Sequence, residues 1–321
     1  MTELHRRWKV FLEQFDPASQ KFLRDYRKQL GPYHALKERN SPDLPYWIFF
    51  PEWLEERYSP VRHSRSGGGF LDDIMWGQYC LFLFIRMQDD LFDGHLQHRD
   101  IIYLADQFLL ECERQFHKHF SGNRGFWNSY RDLLQETTLA ILEISKLQES
   151  FHSSADELLE RYKRVNAVFK VGMVAFCSQH HKMNHIKYFG QFYDHMSMGS
   201  QILDDFKDIG EDVGATRFNY VVKRIVERRN DHAEIDVRNI LPHIATALCF
   251  TTTGKELLFE AKQHFAEAFA AIQQFQFPDT DRFRKYYLHS VDSIIERFQQ
   301  KQFASIVLTA RRNRRSQFRA S

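Results

Sequence analysis

Apolar residues recur three and four positions apart along almost the whole chain. LADQFLLECERQF (104–116), LLERYKRVNAVFKVGMVAF (158–176) and YVVKRIVERR (220–229) are typical, and this is the period of an amphipathic helix. Alternating apolar and polar runs, the mark of a half-buried strand, are nearly absent, so the chain is predicted to be all-α. Gly, Pro, Asn, Asp and Ser interrupt the period at GPYHALKERNSPDLPYW (31–47), SRSGGG (64–69), SGNRG (121–125), HSSAD (152–156), DVGATRFN (212–219), TTTGK (251–255) and FPDTD (277–281). Ser154 or Asp156, Thr252, and Asp279 or Asp281 stand just before the next periodic run, as helix N-caps do. No break has the length of an interdomain linker, and no repeat is present. The expectation is a single-domain bundle over 1–321 with roughly ten or more helices. Residues 1–69 supply N-terminal helices and a lead-in loop, and 310–321, ARRNRRSQFRAS, a basic tail.

The 321 residues are 43% hydrophobic, enough for a sizeable core. No apolar stretch of about 18 residues occurs, which excludes a transmembrane helix. The N-terminal MTELHRRWKVFLEQF has no apolar run of signal-peptide length, and the expected location is cytoplasmic. A net charge of +2 argues against nucleic acid as a partner. Cys80, Cys112, Cys177 and Cys249 sit in apolar helical patterns and read as reduced core thiols. Thirty Phe, 13 Tyr and 5 Trp are an aromatic supply that can line a cavity for an apolar or cationic ligand as well as fill a core.

Chemistry enters with two acidic clusters. In FIRMQDDLFDGH (84–95), Asp89, Asp90 and Asp93 fall within five residues at the end of an apolar helix, where their mutual repulsion demands a positive partner. On a helix Asp89 and Asp93 share a face, with Asp90 about 100° round. In SQILDDFKDIGEDVGATRFNYVV (200–222), Asp204, Asp208 and Asp212 recur at i, i+4 and i+8 beside Asp205 and Glu211, a carboxylate stripe with about 40° of drift per step. Mg²⁺ prefers carboxylate oxygen and shares its shell with substrate phosphate. Two such clusters facing a cavity would hold several Mg²⁺ ions and neutralise a diphosphate.

These residues carry a family resemblance. DDLFD resembles the first aspartate-rich motif, DDxxD, of the class I isoprenoid synthase superfamily, which includes trans-prenyl diphosphate synthases and class I terpene synthases. QILDDFKD resembles the second motif of the prenyl diphosphate synthases, QxxDDxxD. The stripe Asp204, Asp208, Asp212 followed by RFNYVV resembles the terpene-synthase triad N/DxxxSxxxE in spacing, with Asp at its last two steps, and DIGED is similar to the DxxxD of squalene and phytoene synthases. The resemblance spans residues 70–222. It implies an all-α bundle around a central cavity, about three Mg²⁺ ions held by Asp89, Asp90, Asp93, Asp204, Asp205, Asp208 and Asp212, and a linear prenyl diphosphate as substrate, with a homodimer as an open possibility.

Chain-elongating relatives place a GGKxxRP motif before the first aspartates and a paired Arg after them. Here VRHSRSGGGFLDD supplies Arg62 and Arg65 without a Lys, and DDLFDGHLQHRD has no paired Arg. One diphosphate site fits a terpene synthase, which ionises its substrate and lets the carbocation cyclise, rearrange or meet water. The alternative is a trans-prenyltransferase, by elongation or by squalene/phytoene-like head-to-head condensation. A non-enzymatic scaffold binding Ca²⁺ or partner Arg residues is the third reading. Arg164 and Lys170 are the candidate diphosphate sensors, ahead of Arg161 and Lys163, and Arg217 follows the second motif as a basic residue does in the superfamily; Lys207 reads as a surface counter-charge. One and two turns before the aspartates stand Ile85 and Phe82, and Ser200 and Ser197 with Gln201, the expected lining of the cavity. Phe169, Met173 and Phe176 fit a wall or ordinary core.

Four further features stand apart. His181 and His185 are one turn apart but lack a third zinc ligand in sequence, and read as a surface loop. GGG at 67–69 lacks the context of a phosphate loop. Asp72 and Asp73 read as helix N-terminal acids favoured by the macrodipole. Arg311, Arg312, Arg314, Arg315 and Arg319 fit a solvated end, a lid or a binding tail.

Overall fold

Helix is the only regular structure among the described residues. The computed structural model describes residues 3–30, 45–59, 69–92, 94–96, 101–150, 153–214, 217–228, 244–248 and 251–317, with side chains up to residue 300. Asp93, Arg62, Arg65, Cys249 and Arg319 lie outside these, as do the side chains of the other tail arginines. The helices are α1 (Glu3–Leu12), α2 (Pro17–Gln29), α3 (Tyr46–Tyr58), α4 (Phe70–Phe92), α5 (Ile101–Phe120), α6 (Arg124–Glu149), α7 (Ala155–Val165), α8 (Val171–Gln179), α9 (Ile186–Gly214), α10 (Tyr220–Glu227), α11 (Thr253–Ile272) and α12 (Thr280–Gln317).

Local sequence accounts for several of their starts. Ser154 and Glu157 form a reciprocal capping box at α7, satisfying two N–H groups that the helix leaves unpaired; Asp156 lies inside the first turn. Asp16 caps α2 by accepting from the N–H groups of Ala18 and Ser19, ahead of Pro17. Thr252 precedes α11, but its hydroxyl turns to Glu256 and caps no backbone N–H. Asp279 takes φ 58° just before α12, and Asp281 sits in that helix's first turn.

The chain divides into two units, each assembled from segments distant in sequence: Met1–Gln135 with Ala167–Gly190 and Phe275–Asp279, and Glu136–Asn166 with Gln191–Gln274 and Thr280–Ser321. In the first unit α4 packs along α5 and against α1, α3 and α8. Gly172 makes the α8 contact possible: a Cβ there would lie 2.2 Å from the Gln78 carboxamide, which donates to the Phe169 carbonyl at 2.8 Å. The start of α4 is held by charge. Asp73, 4% exposed, accepts from Arg7 of α1 at 2.6 Å and from Lys118 of α5 at 3.2 Å, and pairs with His119 at 2.9 Å. The macrodipole expected to account for Asp73 is therefore a minor part of its role. Cys80, Cys112 and Cys177 are buried free thiols, as expected.

In the second unit α7 packs against α10. Lys223 of α10 is buried, and its ammonium donates to the Ser150 carbonyl at 2.6 Å and the Ser153 hydroxyl at 2.7 Å. Burial pushes its pKa down to about 8 from the ordinary 10.5. Between these values the unfolded chain holds a proton that the folded one does not, so stability falls as pH drops from 10.5 to about 8 and is level below. Urea unfolding at pH 8 and pH 10 is expected to show that slope in the parent chain and to lose it in Lys223→Met. No helix among the described residues is long and apolar enough to cross a membrane.

Candidate functional site

The second unit carries the longer acidic stripe. Helix α9 runs unbroken through Asp212 to Gly214, three residues into the break predicted at 212–219, and Asn219 and Arg217 gather its last turn. The Arg217 N–H donates to the Asp212 carbonyl at 2.7 Å, and its guanidinium lies 3.3 Å from the Asp212 carboxylate. Asn219, fully buried, caps α10 and donates to the Asp212 carboxylate at 2.8 Å and the Asp205 carbonyl at 3.0 Å. Asp204 and Asp208 are exposed and Asp212 is half-buried, so the three lie along the outward face that their spacing predicts. Lys207 pairs with Asp204 at 2.7 Å on the surface, as expected of a counter-charge. Burial, with the charges of Asp204 and Glu211, raises the proton affinity of Asp208. Burial, with Asp208 and Glu211, does the same to Asp212 against the opposing pull of Asn219 and Arg217.

Asp205 differs from its expected role as a ligand. It is 7% exposed, and its Oδ2 accepts from the Tyr162 hydroxyl at 2.7 Å and from the Tyr220 N–H at 2.8 Å. Burial pushes its carboxyl well above the carboxylate range, with those hydrogen bonds opposing. Asp205 thus ties α9 to α7 and α10 and fixes the rotation of the helix that presents Asp204, Asp208 and Asp212.

The first unit repeats the arrangement. Asp90 is 7% exposed and accepts from the Tyr26 hydroxyl at 2.7 Å, while Asp89 stays half-exposed. Arg86, one turn back, reaches both: 3.1 Å to Asp89 and 2.8 Å to Asp90. The positive partner that the cluster demands is therefore supplied in part from its own helix. In each DD pair the first aspartate faces outward and the second is held inward by a tyrosine hydroxyl. A signal for this exists in the sequence. Asp90 continues the buried row Leu83, Met87, and Asp205 continues Met198, Ile202, both at helical spacing.

Among the candidate basic residues, Arg164 is 2.8 Å from Glu143, which also pairs with Arg161; Lys163 pairs with Glu160. Lys170 ends a short 3₁₀ turn, Ala167–Lys170, in the first unit. Arg217 touches the aspartate stripe directly. Phe82 and Ile85 are half-buried, on a stretch of α4 whose neighbours Leu81, Leu83, Phe84 and Met87 are buried. Phe82 stands 5.1 Å from the Trp47 ring, which stacks on Phe169 at 4.9 Å; Trp47 and Phe169 were not paired by any sequence signal. Met173 and Phe176 are core. Ser197 does not line an open face: its hydroxyl is buried, donating to the Tyr162 carbonyl at 2.6 Å and accepting from Asn166 at 2.8 Å. Ser200 and Gln201 are half-buried one turn before the stripe. His185 is taken by the Tyr58 hydroxyl at 2.7 Å, in keeping with a surface turn.

No family model matches the chain, and no curated protein does. Solved structures do. A decaprenyl diphosphate synthase from Rhodobacter capsulatus is 14% identical over 78% of this chain and 85% of its own, with a TM-score of 0.53. A polyprenyl synthase from Roseobacter denitrificans is 14% identical over 92% of this chain and 99% of its own, with a TM-score of 0.56. The chain has the all-α fold of the isoprenoid synthases, as its paired motifs imply.

Proposed function

We propose that the protein is a Mg²⁺-dependent enzyme that breaks the carbon–oxygen bond of a linear prenyl diphosphate and directs the resulting allylic cation. The observation that carries this is the outward stripe Asp204, Asp208, Asp212, held in register by the inward Asp205, on a chain with the isoprenoid synthase fold. The donor set fits the ion: carboxylate oxygens spread along a helix face, not gathered on one point, suit Mg²⁺ that completes its shell with water and phosphate. Asp204, Asp208 and Asp212 would hold it in the second unit, and Asp89, with Asp93 as a further candidate, in the first. Bound there, the ions act as Lewis acids for the charge that grows on the leaving diphosphate.

The remaining work falls to side chains. Arg217, at the end of the stripe, is the basic group that orients and neutralises the diphosphate; Arg164 and Lys170 stay as candidates. Asp90 and Asp205 position and do not ligate. Phe82, with Trp47 and Phe169 behind it, offers ring faces that stabilise a cation without water; Ile85 in the first unit, and Ser200 and Gln201 in the second, are the further lining candidates.

Transfer of the cation to a second prenyl unit is the leading fate, because the two solved structures reported above are named as prenyl synthases. Cyclisation is the second reading, favoured by the missing Lys and paired Arg around the first motif and by the i, i+4, i+8 stripe. Product analysis by mass spectrometry decides between them. Purified protein with Mg²⁺ is given prenyl diphosphates of ten to twenty-five carbons, with and without isopentenyl diphosphate. Longer diphosphates formed only with the co-substrate support transfer, and hydrocarbons or alcohols formed without it support cyclisation. Neither product from any substrate would contradict both.

A further inference from the structure

Away from the aspartates, α9 and α11 bring together three side chains that the reaction does not use. His195 of α9 points its Nδ1 at Nδ1 of His264 on α11, 3.2 Å away. The Glu267 carboxylate, one turn beyond His264, lies 3.2 Å from the first imidazole and 3.9 Å from the second. Among the described residues this is the one group of three His, Cys, Asp or Glu donors gathered within 4.8 Å. From these three separations, a point about 2.0 Å from all three donor atoms lies in their plane, and that is the length of a bond from Zn²⁺ to nitrogen or carboxylate oxygen.

We propose that His195, His264 and Glu267 form a binding site for one divalent transition ion of the Zn²⁺ class, separate from the Mg²⁺-binding aspartates. Imidazole selects such an ion over Mg²⁺, which prefers all-oxygen shells. The donors come from two helices whose separation is fixed by packing. Gly199, one turn along α9 from His195, lets the helices close: a Cβ there would lie 3.0 Å from the Phe265 ring and 3.1 Å from the Ala261 carbonyl. All three residues are half-buried, so the ion can enter from solvent. Three protein ligands leave a further position for water. The ion clips α9, which carries the aspartate stripe, to α11.

The test uses the full chain stripped with chelator and titrated with ZnCl₂ by calorimetry in excess Mg²⁺, which occupies the carboxylates. One equivalent of Zn²⁺ is expected, with affinity lowered at least about 100-fold in His264→Ala, since loss of a ligand exceeds the loss of a supporting contact, and unchanged in Asp208→Ala. Co²⁺ added to the parent chain is expected to give visible d–d bands of a nitrogen-ligated site, a readout that does not depend on a variant folding. Equal Zn²⁺ affinity in the parent chain and His264→Ala, loss of the site in Asp208→Ala, or absence of the Co²⁺ bands would each overturn the assignment. Because Zn²⁺ binding is read without prenyl diphosphate, its outcome is independent of the proposed reaction.

Discussion

Asp208→Ala is expected to lower Mg²⁺-dependent turnover of a prenyl diphosphate about 10²–10³-fold, the usual effect of removing one group that stabilises developing charge. The melting temperature is expected to stay level or rise. Burial, with the neighbouring Asp204 and Glu211 charges, raises the proton affinity of Asp208; deleting one member of a repelling row relieves the repulsive part. Activity lost with stability kept is the signature of a residue placed for function. Turnover retained in this variant would mean that the stripe is a solvated helix face. Tyr162→Phe gives the complementary pattern: it leaves every outward carboxylate in place but removes a hydrogen bond from buried Asp205, so stability and activity fall together.

The second large effect is on the fold. Asp73→Ala is expected to cost about 1.5–3 kcal/mol of stability in urea unfolding, because it removes charge-assisted hydrogen bonds from a buried network in which Arg7 keeps Glu3 as a partner at 2.8 Å. Arg7 and Gln115 lie on the same network, and Gln115 links it to Glu111, which also receives the Trp76 indole N–H at 2.7 Å. Burial opposes ionisation of Asp73, but Arg7 and His119 outweigh it and hold its carboxyl below the ordinary value. A depressed folded-state pKa stabilises at pH values above the unfolded one and is lost as pH falls through the folded one, so the parent chain loses this contribution on acidification and Asp73→Ala has none to lose. Asp72→Ala, on the same turn, is expected to cost under about 1 kcal/mol, the size of a helix-dipole effect. Similar losses in both variants would restore the macrodipole account.

Fold class was legible because helical period is a local property, repeated over long stretches such as 101–120 and 186–214. The outward stripe was legible for the same reason: i, i+4 and i+8 share a face in any helix. What escaped depends on partners distant in sequence. Asp90 and Asp205 read as ligands by letter, and their inward turn required noticing that each extends a buried apolar row toward Tyr26 or Tyr162. Asp73 meets Lys118 and His119 on another helix. His181 and His185, one turn apart in sequence, read as a surface loop, whereas the histidines that converge, His195 and His264, are carried on different helices. Arg86 was within reach of sequence reasoning, since a cation one turn before two aspartates pairs with them in an isolated helix.

The central claim is tested most directly by diphosphate release. Purified protein is incubated with a fifteen- or twenty-carbon prenyl diphosphate, and liberated diphosphate is followed with Mg²⁺, with chelator, and in Asp208→Ala. Release that requires Mg²⁺ and falls about 10²–10³-fold in the variant is the predicted result. No release above the chelator control from any prenyl diphosphate, by a chain that is folded and binds Mg²⁺, would contradict the account.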